Sequence, residues 1–122
     1  MMILRINMRV LPKNQKEVSQ TLLSMIEPMG KEKGCLSCDV FCDMEDENIH
    51  SLIEEWETRE DLDRYIATKK FRVLLGAESL LNEPLEIQIH TVSRSEGIEA
   101  VNAARGKSTS FFPKGVERRN RI

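Results

Sequence analysis

Aromatic residues are scarce in this 122-residue chain, which has one Trp, one Tyr and four Phe. Long apolar runs are missing as well, and nothing approaches the roughly 18 consecutive apolar residues that a membrane-spanning helix needs. The net charge is only −2, so no basic excess favours nucleic acid or an anionic membrane as a partner. Apolar residues at 40% and charged residues at 31% are typical of a soluble globular domain.

Cysteines are also few, and their number, three, is odd. Arg5 and Asn7 interrupt the N-terminal apolar run, and no small-residue cleavage site follows it, so a signal peptide is not expected. An odd number of cysteines without an export signal fits the reducing cytoplasm. We therefore expect a cytoplasmic protein.

Neither the cysteines nor the histidines form a convincing metal or redox motif. In an extended strand Cys38 and Cys42 would lie about 13 Å apart, which is too far for one zinc ion or a disulfide. Cys35 and Cys38 could meet only at a turn. We interpret all three cysteines as small, buried, apolar residues and expect no metal. His50 and His90, which belong to no catalytic spacing, are interpreted as partly exposed.

The apolar periodicity predicts six elements. Alternation indicates strands at residues 2–11, 35–43, 49–57 and 85–92. Helical spacing follows two predicted N-caps, Asn14 (with Glu17 completing a capping box) and Thr58, and Thr68 is predicted to cap a further helical segment. The order β-α-β-β-α-β is the split βαβ, ferredoxin-like α+β arrangement: an antiparallel sheet with helices on one face.

This domain is expected to span residues 1–93. Residues 94–122 differ in composition and form a predicted C-terminal extension. We expect Phe111 and Phe112 to anchor that extension on its own subunit or on a partner subunit.

Helices on one face of the sheet leave its other face open. Strand 1 carries Ile3 on one side and Met8 on the other, so apolar groups occur on both faces. An exposed apolar face favours association. The sequence therefore predicts a homodimer formed through the sheet faces.

Glu54 and Trp56 lie two residues apart and so share one face of the third strand. A carboxylate beside an indole and away from water should have a raised pKa unless it is paired. Arg5 or Arg9 on the neighbouring first strand could supply that pairing. Two interpretations stay open: a structural ion pair with a packed aromatic, or a substrate-binding pair.

Two further polar residues have the same ambiguity. Asn7 lies within a strand whose faces are both expected to be covered, so its amide either bonds neighbouring side chains or points at a ligand. Tyr65 lies on the buried stripe of a helix. It is either a core residue with its hydroxyl at the rim or a hydrogen-bond donor in a pocket.

Several segments together resemble the antibiotic biosynthesis monooxygenase superfamily, most closely its quinol monooxygenase-like members. They are the run LRINMRV at residues 4–10, the GCL entry to the second strand at 34–36, and EEWET at 54–58 followed by Leu62 and Phe71. The resemblance covers about residues 2–93. It implies a dimeric α+β barrel in which the sheets of two ferredoxin-like subunits face each other.

The resemblance also implies oxidation of a small aromatic or quinol-type molecule with O₂, without a cofactor. The pocket would help to remove a phenolic proton, the anion would react with O₂, and hydrogen bonds would steady the peroxide. The implied catalytic residues are Asn7, Tyr65 and Lys70. We predict Arg5, Glu54, Trp56 and Phe71 as the substrate-binding residues.

The chain departs from the family pattern at two positions. Many members have a histidine where this chain has Tyr65, and another where it has Lys70; these two residues are candidate replacements. Asn7 matches an asparagine of the haem-degrading branch, but Leu75 stands near that branch's haem-ligating histidine, so haem degradation is not expected. Two functions stay open: a cofactor-independent monooxygenase, and a non-catalytic dimeric ligand-binding or stress-associated domain on the same scaffold.

Overall fold

Over residues 1–92 the fold is an α+β sandwich in which one four-stranded antiparallel sheet carries helices on one face. The computed structural model describes residues 1–106. The strands are β1 (Met2–Arg9), β2 (Cys35–Cys42), β3 (Ile49–Trp56) and β4 (Glu86–Thr91). The helices are α1 (Gln15–Met29), α2 (Arg59–Ile66), α3 (Lys69–Gly76) and α4 (Ile98–Ala104), with 3₁₀ turns at Pro12–Asn14 and Ala77–Leu80. The predicted ferredoxin-like element order is confirmed.

The strand order across the sheet is β2-β3-β1-β4, and every neighbouring pair is antiparallel. Because side chains alternate across a strand, β1 and β3 each present one fully buried face. That face packs against α1, α2 and α3 to form the core. Its buried apolar members are Met2, Leu4, Ile6, Met8, Val10, Val18, Leu22, Met29, Leu52, Trp56, Leu62, Tyr65, Phe71, Leu74 and Leu81.

The three predicted caps differ in outcome. Thr58 caps α2, since its hydroxyl oxygen accepts a hydrogen bond from the Asp61 backbone N–H at 3.1 Å, and Thr68 caps α3 in the same way. The prediction that Asn14 caps α1 is wrong, because its side chain makes no capping hydrogen bond. The Asn14 side-chain amide instead donates to the backbone carbonyl of Leu80 at 3.1 Å. This bond ties the start of α1 to the turn before β4.

A glycine and a β-bulge shape the entry to β2. Gly34 has φ +84°, a left-handed conformation that favours glycine, and a Cβ there would lie within 2.5 Å of the Asp61 side chain. The register then shifts between Cys35 and Ser37. Simple alternation predicts that Leu36 and Cys38 share one face of β2. Because of the bulge, Leu36 is instead exposed and does not share the face of Cys38.

The chain divides into two compact units, one comprising residues 1–92 and the other beginning at Ser93. The described part of the second unit contains α4. Phe111 and Phe112, the predicted anchors, lie outside the described residues. Within residues 1–106, no helix is long and apolar enough to cross a membrane.

Candidate active site

A buried acid–aromatic cluster occupies the helix-covered face of β3. Glu54 and Trp56 are both fully buried there, and the Trp56 Nε1–H donates to Glu54 Oε1 at 3.0 Å. Tyr65 of α2 stacks on Trp56 with ring centroids 5.0 Å apart, and Phe71 of α3 meets Tyr65 edge-on at 5.4 Å. These four are among the seven site residues predicted from the sequence, and the structure brings them into one cluster.

The cluster contains two polar atoms without a hydrogen bond of ordinary geometry among the described residues, Glu54 Oε2 and the Tyr65 hydroxyl. The two groups are nevertheless close enough for each to affect the other's pKa. The Tyr65 hydroxyl is close enough to Glu54 to lower the pKa of the carboxyl as a hydrogen-bond donor does, so each group is the available partner of the other. They leave a proton donor and a proton acceptor available side by side.

Burial raises the pKa of the Glu54 carboxyl to about 7, and the hydrogen bond from Trp56 and the nearby Tyr65 hydroxyl oppose that rise. Burial, together with the Glu54 charge, raises the pKa of the Tyr65 phenol above its ordinary value. Glu54 therefore changes its charge near neutral pH, whereas Tyr65 keeps its proton. A carboxyl with a pKa near the working pH is suited to general acid–base catalysis.

Two thiols face the same carboxyl from β2. The bulge leaves Cys35 opposite Trp56 and Cys38 opposite Glu54, so both thiols lie on the helix-covered face. Burial, followed by the Glu54 charge, raises the pKa of Cys38 to about 12 and raises that of Cys35 as well. The expectation that all three cysteines are buried is wrong, because Cys35 and Cys38 are half-buried and Cys42 is exposed.

An apolar cleft of about 250 Å³ opens between α1 and the α2–α3 pair, and we call it the helix cleft. Its lining residues are Thr21, Ser24, Met25, Pro28, Met29, Tyr65, Lys70, Val73 and Leu74. Its size suits a molecule of one or two rings, since a cavity of about 150 Å³ holds benzene. Tyr65 belongs to both the cleft and the buried cluster, so it joins the ligand space to Glu54.

Lys70 lines the helix cleft but is engaged elsewhere. Its Nζ lies 2.6 Å from Glu32 Oε1, in the loop between α1 and β2, and its side chain is about half exposed. The lysine therefore stands at the cleft mouth as part of an ion pair. This places it beside a ligand and away from the buried acid.

Two predicted site residues lie on the other side of the sheet. Arg5 and Asn7 alternate with the buried residues of β1, and the Asn7 Oδ1 accepts a hydrogen bond from Ser51 Oγ at 2.7 Å. The expected pairing of Glu54 with an arginine is wrong, because Arg5 and Arg9 both point to this open face. Arg9 instead lies 3.6 Å from Glu83. The helix cleft and the open face are separate surfaces.

One polar pair was missed by sequence reasoning. His50, which was expected to be partly exposed, is buried, and its Nε2 lies 3.1 Å from Ser19 Oγ of α1. The signal was available, since His50 falls in the same alternation as Leu52, Glu54 and Trp56. Among residues 1–106, no group of three or more His, Cys, Asp or Glu side chains is placed to hold a metal ion.

The raised pKa of Glu54 predicts a specific pH dependence of stability. Its unfolded-state pKa is about 4.5 and its folded-state value about 7, so the folded state binds the proton more tightly. The stability that this group supports is therefore complete below pH 4.5, falls as the pH rises towards 7, and is lost above 7. The change is about 3 kcal/mol for a shift of this size.

Urea unfolding of wild type and Glu54→Gln between pH 4.5 and 8 isolates this contribution, because all other groups titrate in both proteins. We expect the variant to gain about 3 kcal/mol relative to wild type across that range. A difference that stays constant with pH would show that Glu54 is not the group responsible.

Comparison with known proteins identifies the scaffold. Residues 1–75 match the family model described as antibiotic biosynthesis monooxygenase. An uncharacterized protein of Synechocystis sp. is 29% identical over 91 residues, which are 74% of this chain and 62% of that protein. The chain thus spans less than two thirds of that relative's length.

Solved structures share the fold. A candidate antibiotic biosynthesis monooxygenase from Deinococcus radiodurans superposes with a TM-score of 0.74 at 18% identity, covering 80% of this chain and 97% of that one. A conserved protein from Methanosarcina mazei superposes with a TM-score of 0.68 at 27% identity, covering 73% of this chain and 89% of that one. A Pseudomonas aeruginosa protein superposes with a TM-score of 0.66 at 26% identity, covering 76% of this chain and 94% of that one. Because the family model covers more than half of its residues, this chain belongs to the antibiotic biosynthesis monooxygenase family.

Proposed function

We propose that this protein is a monooxygenase that oxidises a small phenolic or quinol-type compound with O₂, without flavin or metal. The observation that carries the proposal is the link from the helix cleft through Tyr65 to Glu54, a buried carboxyl with a pKa of about 7 that lies next to the Tyr65 hydroxyl. The names of the family and of several structural relatives support the reaction class.

The proposed chemistry begins with a proton transfer. The Tyr65 hydroxyl is buried, so this step requires the bound phenol to reach it from the helix cleft. The phenol then gives its proton to Tyr65 as the Tyr65 hydroxyl passes its own proton to Glu54 Oε2, so the tyrosine ends unchanged. The phenolate carbon para to the oxygen then forms a bond to O₂, and the peroxide anion takes a proton back. Cleavage of the O–O bond with loss of the ring hydrogen releases water and leaves a quinone, so that one phenol and one O₂ give one quinone and one water.

The test is an oxygen electrode with a panel of para-unsubstituted phenols and hydroquinones, with and without added flavin or haem. We expect one O₂ consumed per quinone formed for at least one phenol, unchanged by either cofactor. Tyr65→Phe removes the hydroxyl that joins cleft to acid, and we expect turnover to fall by about 10²-fold with the folded state retained. Full turnover in this variant would show that Tyr65 has no part in the mechanism. The absence of O₂ uptake with every phenol of the panel would contradict the proposed reaction.

A second candidate function is favoured by one observation. Glu54 itself does not line the helix cleft. Among residues 1–106, the titratable side chains that line it are Tyr65 and Lys70, and Lys70 is ion-paired. Such a lining, with few titratable groups, suits a non-catalytic domain that binds the same small aromatic molecules. Saturable binding of a phenol without O₂ uptake would favour that alternative.

We also propose that the open face of the sheet forms a homodimer. That face carries the half-buried apolar residues Ile3, Ile49 and Ile53 among polar groups. We expect light scattering after size exclusion to give twice the 14.1 kDa chain mass. Ile53→Glu replaces an apolar side chain at the centre of the face, opposite Arg5, with a charged one that loses its hydration on association. We expect this variant to be monomeric.

Ile26→Glu is the matched control for the dimer, because Ile26 is partly exposed on α1, on the opposite face of the sheet. We expect this variant to remain dimeric. A wild-type monomer at micromolar concentration would contradict the proposed association.

A cytoplasmic location completes the proposal. All three cysteines are free thiols, two of them half-buried against the core. Thiols in this state fit a reducing compartment.

A further inference from the structure

A second cleft, of about 460 Å³, lies between α1 and the β2–β3 hairpin, and we call it the hairpin cleft. It uses a different face of α1 from the helix cleft: Lys16, Ser19 and Leu23 line the hairpin cleft, whereas Thr21 and Met25 line the other. The two clefts share no lining residue. The acid–aromatic cluster therefore has no part in the hairpin cleft.

The floor of the hairpin cleft is a buried imidazole. His50 is 5% exposed, its Nε2 lies 3.1 Å from Ser19 Oγ, and its Nδ1 is buried with no hydrogen-bond partner among the described residues. A neutral imidazole carries its proton on one of the two nitrogens. An orphaned buried N–H is rarer in proteins than an under-satisfied acceptor, so the proton belongs on Nε2, where it meets the serine oxygen.

This tautomer determines what Ser19 offers. Because His50 Nε2–H donates to Ser19 Oγ, the serine hydrogen is not used in that bond. Among residues 1–106 the Ser19 hydroxyl makes no other hydrogen bond. The hydroxyl is therefore free to donate to a group inside the cleft, and that group must be an acceptor.

The charge and the apolar lining of the cleft define the rest of the ligand. Lys16 stands three residues before Ser19 on α1, makes no ion pair within the described residues, and adds a positive charge to the acceptor position. Leu23 and the half-buried Val40 supply an apolar wall beyond Ser19. Glu47 lines the hairpin end and repels an anion from that side.

We propose that the hairpin cleft is a second ligand site that binds a small carboxylic acid with an apolar body. The carboxylate accepts from the Ser19 hydroxyl and pairs with Lys16, and the body packs on Leu23 and Val40. His50 is a positioning residue that fixes the direction of the serine hydrogen. This site is separate from the helix cleft and does not depend on the proposed oxidation.

The experiment uses the full-length protein at pH 7 with benzoate as the probe and benzyl alcohol as the neutral match. NMR of methyl-labelled protein follows Leu23 and Val40 for the hairpin cleft, and Met25 and Met29 for the helix cleft. We expect benzoate to shift the first pair of signals saturably and to bind about tenfold more tightly than benzyl alcohol. The nitrogen spectrum of His50 should show the Nε2–H tautomer.

Two serine variants give the matched test. Ser19→Ala removes the donor, and we expect benzoate affinity to fall about tenfold. Ser24→Ala, on the same helix but in the helix cleft, should leave that affinity unchanged. Lys16 is exposed, so Lys16→Gln is expected to fold. We expect this variant to weaken benzoate binding about threefold and to leave benzyl alcohol binding unchanged.

Three results would overturn the proposal. One is an Nδ1–H tautomer for His50, which removes the free serine hydrogen. Another is equal benzoate affinity in wild type, Ser19→Ala and Lys16→Gln. The last is benzoate shifting only Met25 and Met29, which would place it in the helix cleft.

Discussion

Glu54→Gln should abolish most of the turnover of a phenolic substrate, lowering kcat/KM by about 10²- to 10⁴-fold, the usual contribution of a general base. The glutamine is nearly isosteric and its amide oxygen can still accept from Trp56 Nε1–H. The fold is therefore retained while the proton acceptor is lost. Substrate affinity should change little, because Glu54 does not line the helix cleft.

The adjacent Glu55→Gln is the matched control. Glu55 lies on the open face, where its carboxylate accepts from Ser37 Oγ at 2.7 Å. We expect turnover within about twofold of wild type, since substitutions away from the site have small effects. Wild-type kinetics in Glu54→Gln would refute the assignment of the base and leave the fold and family unaffected.

The pH profile adds an independent readout for the same residue. A base with a pKa of about 7 gives kcat/KM that rises with pH and levels off above 7. In Glu54→Gln this ascending limb should vanish. A limb that persists in the variant would belong to another group.

Trp56→Phe should produce the second largest effect, on stability. The residue is fully buried, and phenylalanine is smaller than the indole and lacks its N–H donor. We expect the free energy of unfolding to fall by about 3 kcal/mol at pH 8, from the lost packing and the stranded carboxylate. At pH 5 the fall should be about 1 kcal/mol smaller, because Glu54 is then protonated in the folded state.

Circular dichroism is the appropriate probe for this variant, since Trp56 is the chain's only tryptophan and its fluorescence is lost. Phe41→Leu is the control: Phe41 is 51% exposed, so we expect a change within about 0.5 kcal/mol. Equal losses at pH 5 and pH 8 would show that the indole N–H does not stabilise the ionised carboxyl.

The pairing of Glu54 with Trp56 could be predicted from sequence because a strand alternates with a period of two. The same rule places His50 in the buried row, which shows that polarity alone is a poor guide to exposure. The predicted pairing of Glu54 with Arg5 was wrong for a different reason. The residue opposite Glu54 on β1 is Leu4, and a one-residue difference in register moves a side chain to the other face.

Other features lie beyond a single sequence. The bulge between Cys35 and Ser37 turns Leu36 outward, and the local residues carry no signal for it. The Asn14 side chain reaches Leu80, 66 residues away, and such a contact competes with a local cap only once the chain has folded. Local periodicity therefore predicted the elements and their order, while long-range contacts decided which side chains meet.

The two thiols beside Glu54 have a consequence for the durability of the protein. Peroxide chemistry damages cysteines through their thiolates. With a pKa of about 12, Cys38 is a thiolate in only roughly one molecule in 100,000 at pH 7. Under the proposed oxidation, Cys38 can therefore lie beside Glu54 without being readily oxidised. The exposed Cys42 is then the thiol that reagents and oxidants should reach first.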